Sequence, residues 1–143
     1  MFKANLQETI RRIQSKRNPP ITEEQTVQKA KDNFMKPFIE ILILSRLSKS
    51  DSYGYAIIQS IKTHSGSRFQ IPEGTMYPTL YRMIKRGYIM DYRSPSAENQ
   101  LRISYKITPA GHEHLKKLME AYGEAQKGYR ACLSAMESNA STP

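Results

Sequence analysis

The sequence predicts a mainly α-helical fold with one small β-hairpin. Apolar residues recur at helical spacing along most of the chain. Two segments rich in β-branched and aromatic residues, 88–93 and 101–107, flank the polar, turn-forming stretch 94–100. Helical spacing then returns from residue 109 onward. Three helices followed by a hairpin is the order of a winged helix-turn-helix, so we predict that fold with an additional C-terminal dimerisation helix.

Composition narrows the class of protein before any motif is considered. The 143 residues include 22 Lys and Arg against 13 Asp and Glu, a net charge of +9 that favours nucleic acid or an anionic membrane surface as partner. The longest apolar run, residues 41–44, is far shorter than the roughly 18 residues of a membrane span. The single cysteine, Cys132, excludes an internal disulfide and fits a reducing compartment. We expect a cytoplasmic chain that makes no membrane contact.

Residues 1–35 form a predicted N-terminal helical extension. A first amphipathic helix is expected over Phe2–Lys16. A second begins at Thr22, which forms a capping box with Gln25, and should end at Pro37 because proline cannot continue a helix. Phe2, Leu6, Ile10 and Ile13 with their arginine neighbours leave open that the first helix lies on a membrane surface, although docking on a neighbouring subunit is the simpler expectation.

The winged helix-turn-helix is predicted over residues 36–108. Its first helix begins at Phe38 and ends in the polar cluster 48–52, and its second runs over Tyr53–His64. The third starts near Pro72 and ends at Gly87. Its apolar face carries Met76, Leu80 and Met83.

The last helix, residues 109–137, is predicted to mediate dimerisation. Thr108 caps it and proline follows at its first position. Apolar residues then alternate at spacings of three and four over three heptads, which indicates a seam that packs against another helix. The predicted dimer interface consists of Leu115, Leu118, Tyr122, Ala125, Tyr129, Cys132 and Met136. We expect residues 138–143 to be a disordered tail.

A basic surface is predicted where DNA would lie on a winged helix. From Thr75 to Lys106 there are six Lys or Arg and two acidic residues, a surplus of +4. The third helix of this fold enters the major groove, and its hairpin contacts the backbone or minor groove. The outward face of that helix is predicted to carry Thr75, Pro78, Thr79, Arg82, Lys85 and Arg86. Thr75, Thr79 and Arg82 would reach bases or phosphates, and the last two residues phosphates alone.

Four blocks of sequence resemble the PadR family of transcriptional regulators: Tyr53–Tyr55, Gly74–Met83, Gly87–Ile89 and Tyr105–Gly111. The resemblance covers residues 38–136. It implies a homodimeric winged helix that binds a double-stranded DNA operator, usually a repressor that a small-molecule effector releases. It also places Tyr53 and Tyr77 at the DNA face and Arg102 in the wing. The full predicted DNA-binding set is Tyr53, Thr75, Tyr77, Pro78, Thr79, Arg82, Lys85, Arg86, Arg93 and Arg102.

Two departures from the family pattern leave an alternative open. Ile84 stands where the family usually has a polar or acidic residue, so an apolar side chain is either exposed or covered by the N-terminal helices. The first 35 residues lie outside the family pattern. Both features fit a winged-helix protein-interaction module without sequence-specific DNA binding.

The sequence predicts neither an enzyme nor a cofactor or metal site. It contains no phosphate-binding glycine motif and no nucleophile paired with a base at a recognisable spacing. His112 and His114 are two apart on a helix and so point to different faces, and His64 is distant in sequence. We therefore expect surface histidines, not a converging set of ligands.

Overall fold

The computed structural model describes residues 2–15, 20–96 and 100–140. Eight elements follow one another: α1 (Phe2–Ser15), α2 (Glu23–Leu47), β1 (Ser52–Tyr53), α3 (Gly54–His64), α4 (Glu73–Lys85), β2 (Ile89–Pro95), β3 (Leu101–Ile107) and α5 (Pro109–Ala140). The chain divides into two compact units, residues 1–36 and 37–143. The predicted fold class, mainly helical with a small β-element, is confirmed.

Unit 1–36 consists of α1 and the first part of α2. The predicted capping box is confirmed: the main-chain N–H of Thr22 donates to Oε1 of Gln25 (3.0 Å), and the N–H of Gln25 donates to Oγ1 of Thr22 (3.2 Å). Apolar side chains such as Leu6 and Val27 are exposed, and no side chain described in residues 5–13 and 20–36 is buried. This unit therefore has helices but no core formed by those residues.

The helix end predicted at Pro37 is wrong, because α2 continues through this proline to Leu47. The φ angle of proline is compatible with a helix, but a proline inside one loses the hydrogen bond to the carbonyl of Asn33 and its ring clashes with that carbonyl, at a cost of about 3 kcal/mol. Burial of the following apolar residues offsets that loss, since each contributes about 1.5–3 kcal/mol. The buried residues of α2 are Ile39, Ile43, Leu44 and Leu47.

The sheet has three strands, not the two of the predicted hairpin. β3 lies in the middle and pairs antiparallel with both β1 and β2. The second helix begins at Gly54, one residue after the predicted start, with Tyr53 as its N-cap. Ser52 and Tyr53 pair with Tyr105 and Ser104 as β1, a strand that was not predicted. A two-residue strand shows no alternation in sequence, so only its partner strand could reveal it.

One hydrophobic core joins the helices and the sheet of unit 37–143. The three inward residues predicted for α4 are buried, with Met76, Leu80 and Met83 at most 1 % exposed. They pack with apolar residues of α2, α3, β2, β3 and α5. Ile84 packs against the same core and is half-buried, so it is not the exposed apolar residue that the interaction-module alternative required.

Thr108 joins the end of β3 to the start of α5. Its hydroxyl donates to the carbonyl of Gly87 (2.6 Å) and accepts the N–H of Gly111 (3.0 Å), and its own N–H donates to the carbonyl of Tyr88 (3.0 Å). The predicted cap is therefore confirmed. Gly87 has a positive φ of 77°, the left-handed conformation that lets the chain turn sharply after α4.

His114 also anchors α5 to the rest of unit 37–143. Its Nε2 lies 3.3 Å from Oε1 of Glu40, and its ring stacks on Tyr88 with centroids 3.9 Å apart. The side chain is 21 % exposed, so the expectation of a surface histidine is wrong for His114. The two pairing partners come from α2 and the turn before β2, which only the folded chain brings together.

α5 extends three residues further than the predicted helix. It ends at Ala140, so Ser138, Asn139 and Ala140 are helical and not part of a disordered tail. These residues carry no strong helix-breaking signal, unlike proline, and simply continue the preceding turns. The remaining predicted tail, residues 141–143, lies outside the described residues.

Candidate nucleic-acid interface

The outer face of α4 is an exposed aromatic and basic surface, which consists of Tyr77, Pro78, Tyr81, Arg82 and Lys85. Tyr77 and Tyr81 are 44 % and 57 % exposed although the opposite side of the helix is fully buried. The ammonium of Lys85 lies 4.8 Å from the centre of the Tyr81 ring. Tyr81 was missed in the sequence, although its spacing of four residues from Lys85 indicates such a pair.

Tyr77 lies against the start of α3. A Cβ atom added to Gly54 would come within 2.9 Å of Cε1 of Tyr77, closer than side chains tolerate. A glycine at this position therefore lets the two helices of the helix-turn-helix approach each other, with the ring of Tyr77 between them. This contact explains why glycine follows Tyr53 in the first of the four sequence blocks.

Thr79 does not lie on the outer face, contrary to the prediction. It is 6 % exposed, and its hydroxyl donates to the carbonyl of Thr75 (2.7 Å). The same oxygen accepts a hydrogen bond from Nη2 of Arg82 (3.1 Å). The spacing from Met76 and Met83, three and four residues, already places it beside the buried face. Thr79 thus contacts an outer-face residue without being part of that face, and Thr75 is half-buried.

The sheet carries a second polar and aromatic surface. Side chains alternate between faces along a strand, and residues paired across strands share a face. Tyr53 pairs with Ser104, which pairs with Tyr92, so these three lie in one row on the outward side. The guanidinium carbon of Arg102 lies 4.1 Å from the centre of the Tyr53 ring. This cation–π contact orients Arg102 across the outward face.

The hairpin of β2 and β3, called the wing below, does not bring its two predicted arginines together. Arg93 pairs with Ile103, and Arg102 pairs with Ser94, the next position along. Since neighbouring pairs point to opposite faces, Arg93 lies on the other side of the wing from Arg102. Two exposed apolar residues, Leu101 and Ile103, share the side of Arg93.

Tyr92 and Asp51 form a contact that the sequence did not reveal. The phenol of Tyr92 donates to Oδ2 of Asp51 (2.6 Å) across 41 positions of the chain. This hydrogen bond to a carboxylate is the main reason why the pKa of Tyr92 is raised above its usual 10.0. Burial likewise raises the pKa of Tyr105 on the inner face of β3. The carboxylate of Asp51, which accepts this hydrogen bond, thus adds a negative charge beside Tyr92 on the outward side of the sheet.

The predicted dimer residues of α5 divide into two groups. Leu115 is 8 % exposed in the core of its own chain and Leu118 packs against that core, so the seam prediction is wrong for Leu115, which is not available to a partner. Tyr122 is 40 % exposed and its ring makes an edge contact with Phe38, with centroids 4.8 Å apart. The remaining four are exposed: Ala125, Tyr129, Cys132 and Met136.

Comparison with known proteins decides the family. The profile of the transcriptional regulator PadR-like family matches residues 43–117, which include α3, α4, the sheet and the start of α5. The chain belongs to the PadR-like family. The resemblance in the four sequence blocks is thereby confirmed, and the fold together with the family supports a DNA-binding transcriptional regulator.

Solved structures of similar chains agree with this fold. A transcriptional regulator from Clostridium thermocellum is 30 % identical, with a TM-score of 0.65 over 69 % of this chain and 96 % of that one. A PadR family transcription regulator from Clostridium difficile is 34 % identical, with a TM-score of 0.58 over 67 % of this chain and 98 % of that one. An uncharacterized protein from Lysinibacillus sphaericus is 28 % identical over 68 % of this chain and 89 % of that protein.

Within residues 2–15, 20–96 and 100–140, no helix is long and apolar enough to cross a bilayer. Arg86, directly after α4, and Lys106, on the same side of β3 as Arg102, are also exposed basic residues.

Proposed function

We propose that this PadR-like chain is a dimeric transcriptional repressor. The outer face of α4 enters the major groove of an operator, and the wing lies along the phosphate backbone. The observation that carries this proposal is the coincidence of exposure and charge: Arg82, Lys85 and Arg86 project from a helix whose other side is fully buried. Phosphate contacts from such cations supply most of the non-specific affinity for DNA.

Roles within this surface follow from side-chain geometry. Arg82 lies in the last turn of α4, and its planar guanidinium suits bidentate contact with a guanine edge. Lys85 and Arg86 at the C-terminal end reach phosphates. Arg102, held over Tyr53, contacts a phosphate from the outward side of the sheet. Tyr77 and Pro78 lie one turn before Tyr81 and Arg82 on the same outer face and also face the groove.

A second copy of the chain is the proposed partner of α5. The helix is about 48 Å long at 1.5 Å per residue, and its second half contributes no residue to the core. Gly123 and Gly128 each weaken a helix by about 1 kcal/mol. Exposed Tyr129 and Met136 (64 % and 62 %) continue the seam over that half. A helix facing its own copy buries these residues and sets two α4 helices on half-sites about 34 Å apart.

DNA binding is tested by fluorescence anisotropy with a duplex selected from the DNA upstream of the protein's own gene. Arg82→Ala is expected to weaken binding by about 1–3 kcal/mol at one base position. Arg102→Ala should weaken binding to all sequences and reduce the salt slope by about 0.9. Lys127→Ala, which removes the same charge from an exposed position on α5, is the matched control. Salt-independent binding, or equal effects from all three variants, would refute the assignment.

The dimer is tested by light scattering after size-exclusion chromatography. Tyr129→Glu buries a charge in the proposed seam and should produce monomers. Lys127→Glu introduces the same residue two positions earlier, outside the seam, and should leave the dimer intact. A wild-type chain that is monomeric at high concentration, or two variants that behave alike, would contradict the proposal.

We also propose that a small molecule relieves repression by binding beside α5. An open, mainly apolar hollow of about 420 Å³ lies along this helix. The residues that line it all belong to α5: His112, Leu115, Lys116, Met119 and Glu120. Met119→Trp fills the hollow, so it should abolish release of DNA by a compound found in a screen while leaving DNA affinity unchanged. Equal release from both proteins would place the effector elsewhere.

A further inference from the structure

Thr79 was predicted to bind DNA, but its position in α4 does not allow direct contact. It is 6 % exposed and so cannot contact a base or a phosphate directly. It nevertheless forms a hydrogen bond to Arg82, one turn later on the same helix. Any effect of the Thr79 hydroxyl on DNA binding must therefore pass through the guanidinium of Arg82.

The two hydrogen bonds of Thr79 have fixed directions. A threonine hydroxyl has one proton to donate and two lone pairs to accept with. Its proton is committed to the carbonyl of Thr75 at 2.7 Å. The lone pairs are therefore free to accept, and Nη2 of Arg82 occupies one of them at 3.1 Å. Because arginine has no acceptor, donor and acceptor cannot exchange roles at this contact.

This contact restrains the long side chain of Arg82 before DNA arrives. Of the two protons on Nη2 one is used, which leaves the second and both protons of Nη1 to donate to DNA. Two neighbouring nitrogens with free protons are what bidentate recognition of guanine requires. A side chain that is already ordered loses less conformational entropy on binding than a free one.

We propose that Thr79 is a positioning residue that sets the guanidinium of Arg82 for base recognition. The inference rests on the proposed function, in which Arg82 contacts DNA. It deepens that function by assigning sequence selectivity to a pair of residues, one of which never touches the DNA. Loss of the Thr79 hydroxyl should then reduce binding to the selected sequence more than binding to random DNA.

The test measures the affinity of full-length variants for the selected duplex and for a random duplex. Thr79→Val keeps the buried shape but removes the hydroxyl, and should weaken binding to the selected duplex about three- to tenfold, the range for releasing one ordered side chain. Thr79→Ser keeps the hydroxyl and should retain the wild-type preference for the selected duplex. Thr63→Val, which removes an exposed hydroxyl near the end of α3, is the matched control.

A double-mutant cycle separates positioning from a structural role. In an Arg82→Ala background, Thr79→Val should cause no further loss of binding to the selected duplex. If Thr79→Val weakens binding equally with and without Arg82, or lowers selected and random binding alike, the inference is overturned. If Thr79→Val binds as the wild type does while Arg82→Ala does not, the inference fails and the proposed function stands. A wild-type protein without preference for any duplex would overturn both.

Discussion

Replacement of Gly111 by alanine tests the joint between the sheet and α5. A Cβ atom at this position would overlap the main-chain carbonyl oxygen of Tyr88 and lie 2.8 Å from Cγ1 of Ile107. Since the carbonyl belongs to the backbone, the first turn of α5 must move away. That movement lengthens the hydrogen bonds of Thr108 to Tyr88 and of Gly111 to Thr108, both 3.0 Å.

The magnitude follows from three opposing contributions. Overpacking of a buried site costs about 1–3 kcal/mol, and two weakened hydrogen bonds cost about 1 kcal/mol each. The higher helix propensity of alanine returns about 1 kcal/mol. We therefore expect Gly111→Ala to lower the free energy of unfolding by about 2–4 kcal/mol. For a unit of this size the midpoint of thermal unfolding should fall by about 10–20 °C.

The assay is thermal unfolding followed by circular dichroism, with all proteins at one concentration because dimerisation contributes to stability. Gly123→Ala makes the same chemical change on the same helix, where an added Cβ would meet nothing within 4 Å. It should raise stability by about 1 kcal/mol, the gain of alanine over glycine. A Gly111→Ala protein that melts at or above the wild-type temperature would refute the reasoning, as would two variants that shift in the same direction.

Three further predictions test single contacts. The hydrogen bond to Asp51 raises the pKa of Tyr92, so an ultraviolet titration should show this phenol ionising above pH 10.0, and Asp51→Asn should lower that midpoint. The pair stabilises the fold below pH 10, and this stabilisation is lost as the pH rises through the raised pKa. A midpoint that Asp51→Asn leaves unchanged would contradict the prediction. Cys132 should react with a chromogenic disulfide reagent faster in dilute than in concentrated protein, because the proposed dimer covers it, and equal rates exclude that cover. Tyr53→Leu removes the ring beneath Arg102 and should weaken DNA binding about two- to fivefold, the range for an exposed cation–π contact, whereas Tyr53→Phe should not; equal losses would point to the hydroxyl.

Patterns with a short period predicted most of the fold. The spacing of Met76, Leu80 and Met83 defined the buried side of α4, and alternation defined the wing. β1 was not predictable in this way, because two residues carry no period and their pairing depends on Tyr105, about fifty positions later. The continuation of α2 through Pro37 was not predictable for a different reason. Proline usually ends a helix, but burial of the apolar residues that follow Pro37 outweighs this local preference.

The candidate site was less predictable than the fold because it depends on what covers each side chain. Thr79 lies at the border between the two faces of α4: its spacing places it beside the buried face, but how far its side chain is covered depends on the packing around it. The contacts of Tyr92 with Asp51 and of His114 with Glu40 join residues 41 and 74 positions apart. No helical or strand period relates such pairs, so the sequence identified the charged residues but not their partners.

The hydroxyl of Thr108 links α4 and α5 at one point, about which α5 can tilt. It binds the turn after α4 and the first turn of α5 at once, so the two helices share a pivot. A tilt of about 5° at that pivot moves the far end of a helix about 48 Å long by about 4 Å. In the proposed dimer, a molecule wedged along α5 would thus need only a small angular effect to shift the two α4 helices out of phase with their half-sites. A small rotation of α5, without a large rearrangement of the chain, would then be enough for an effector to change DNA binding.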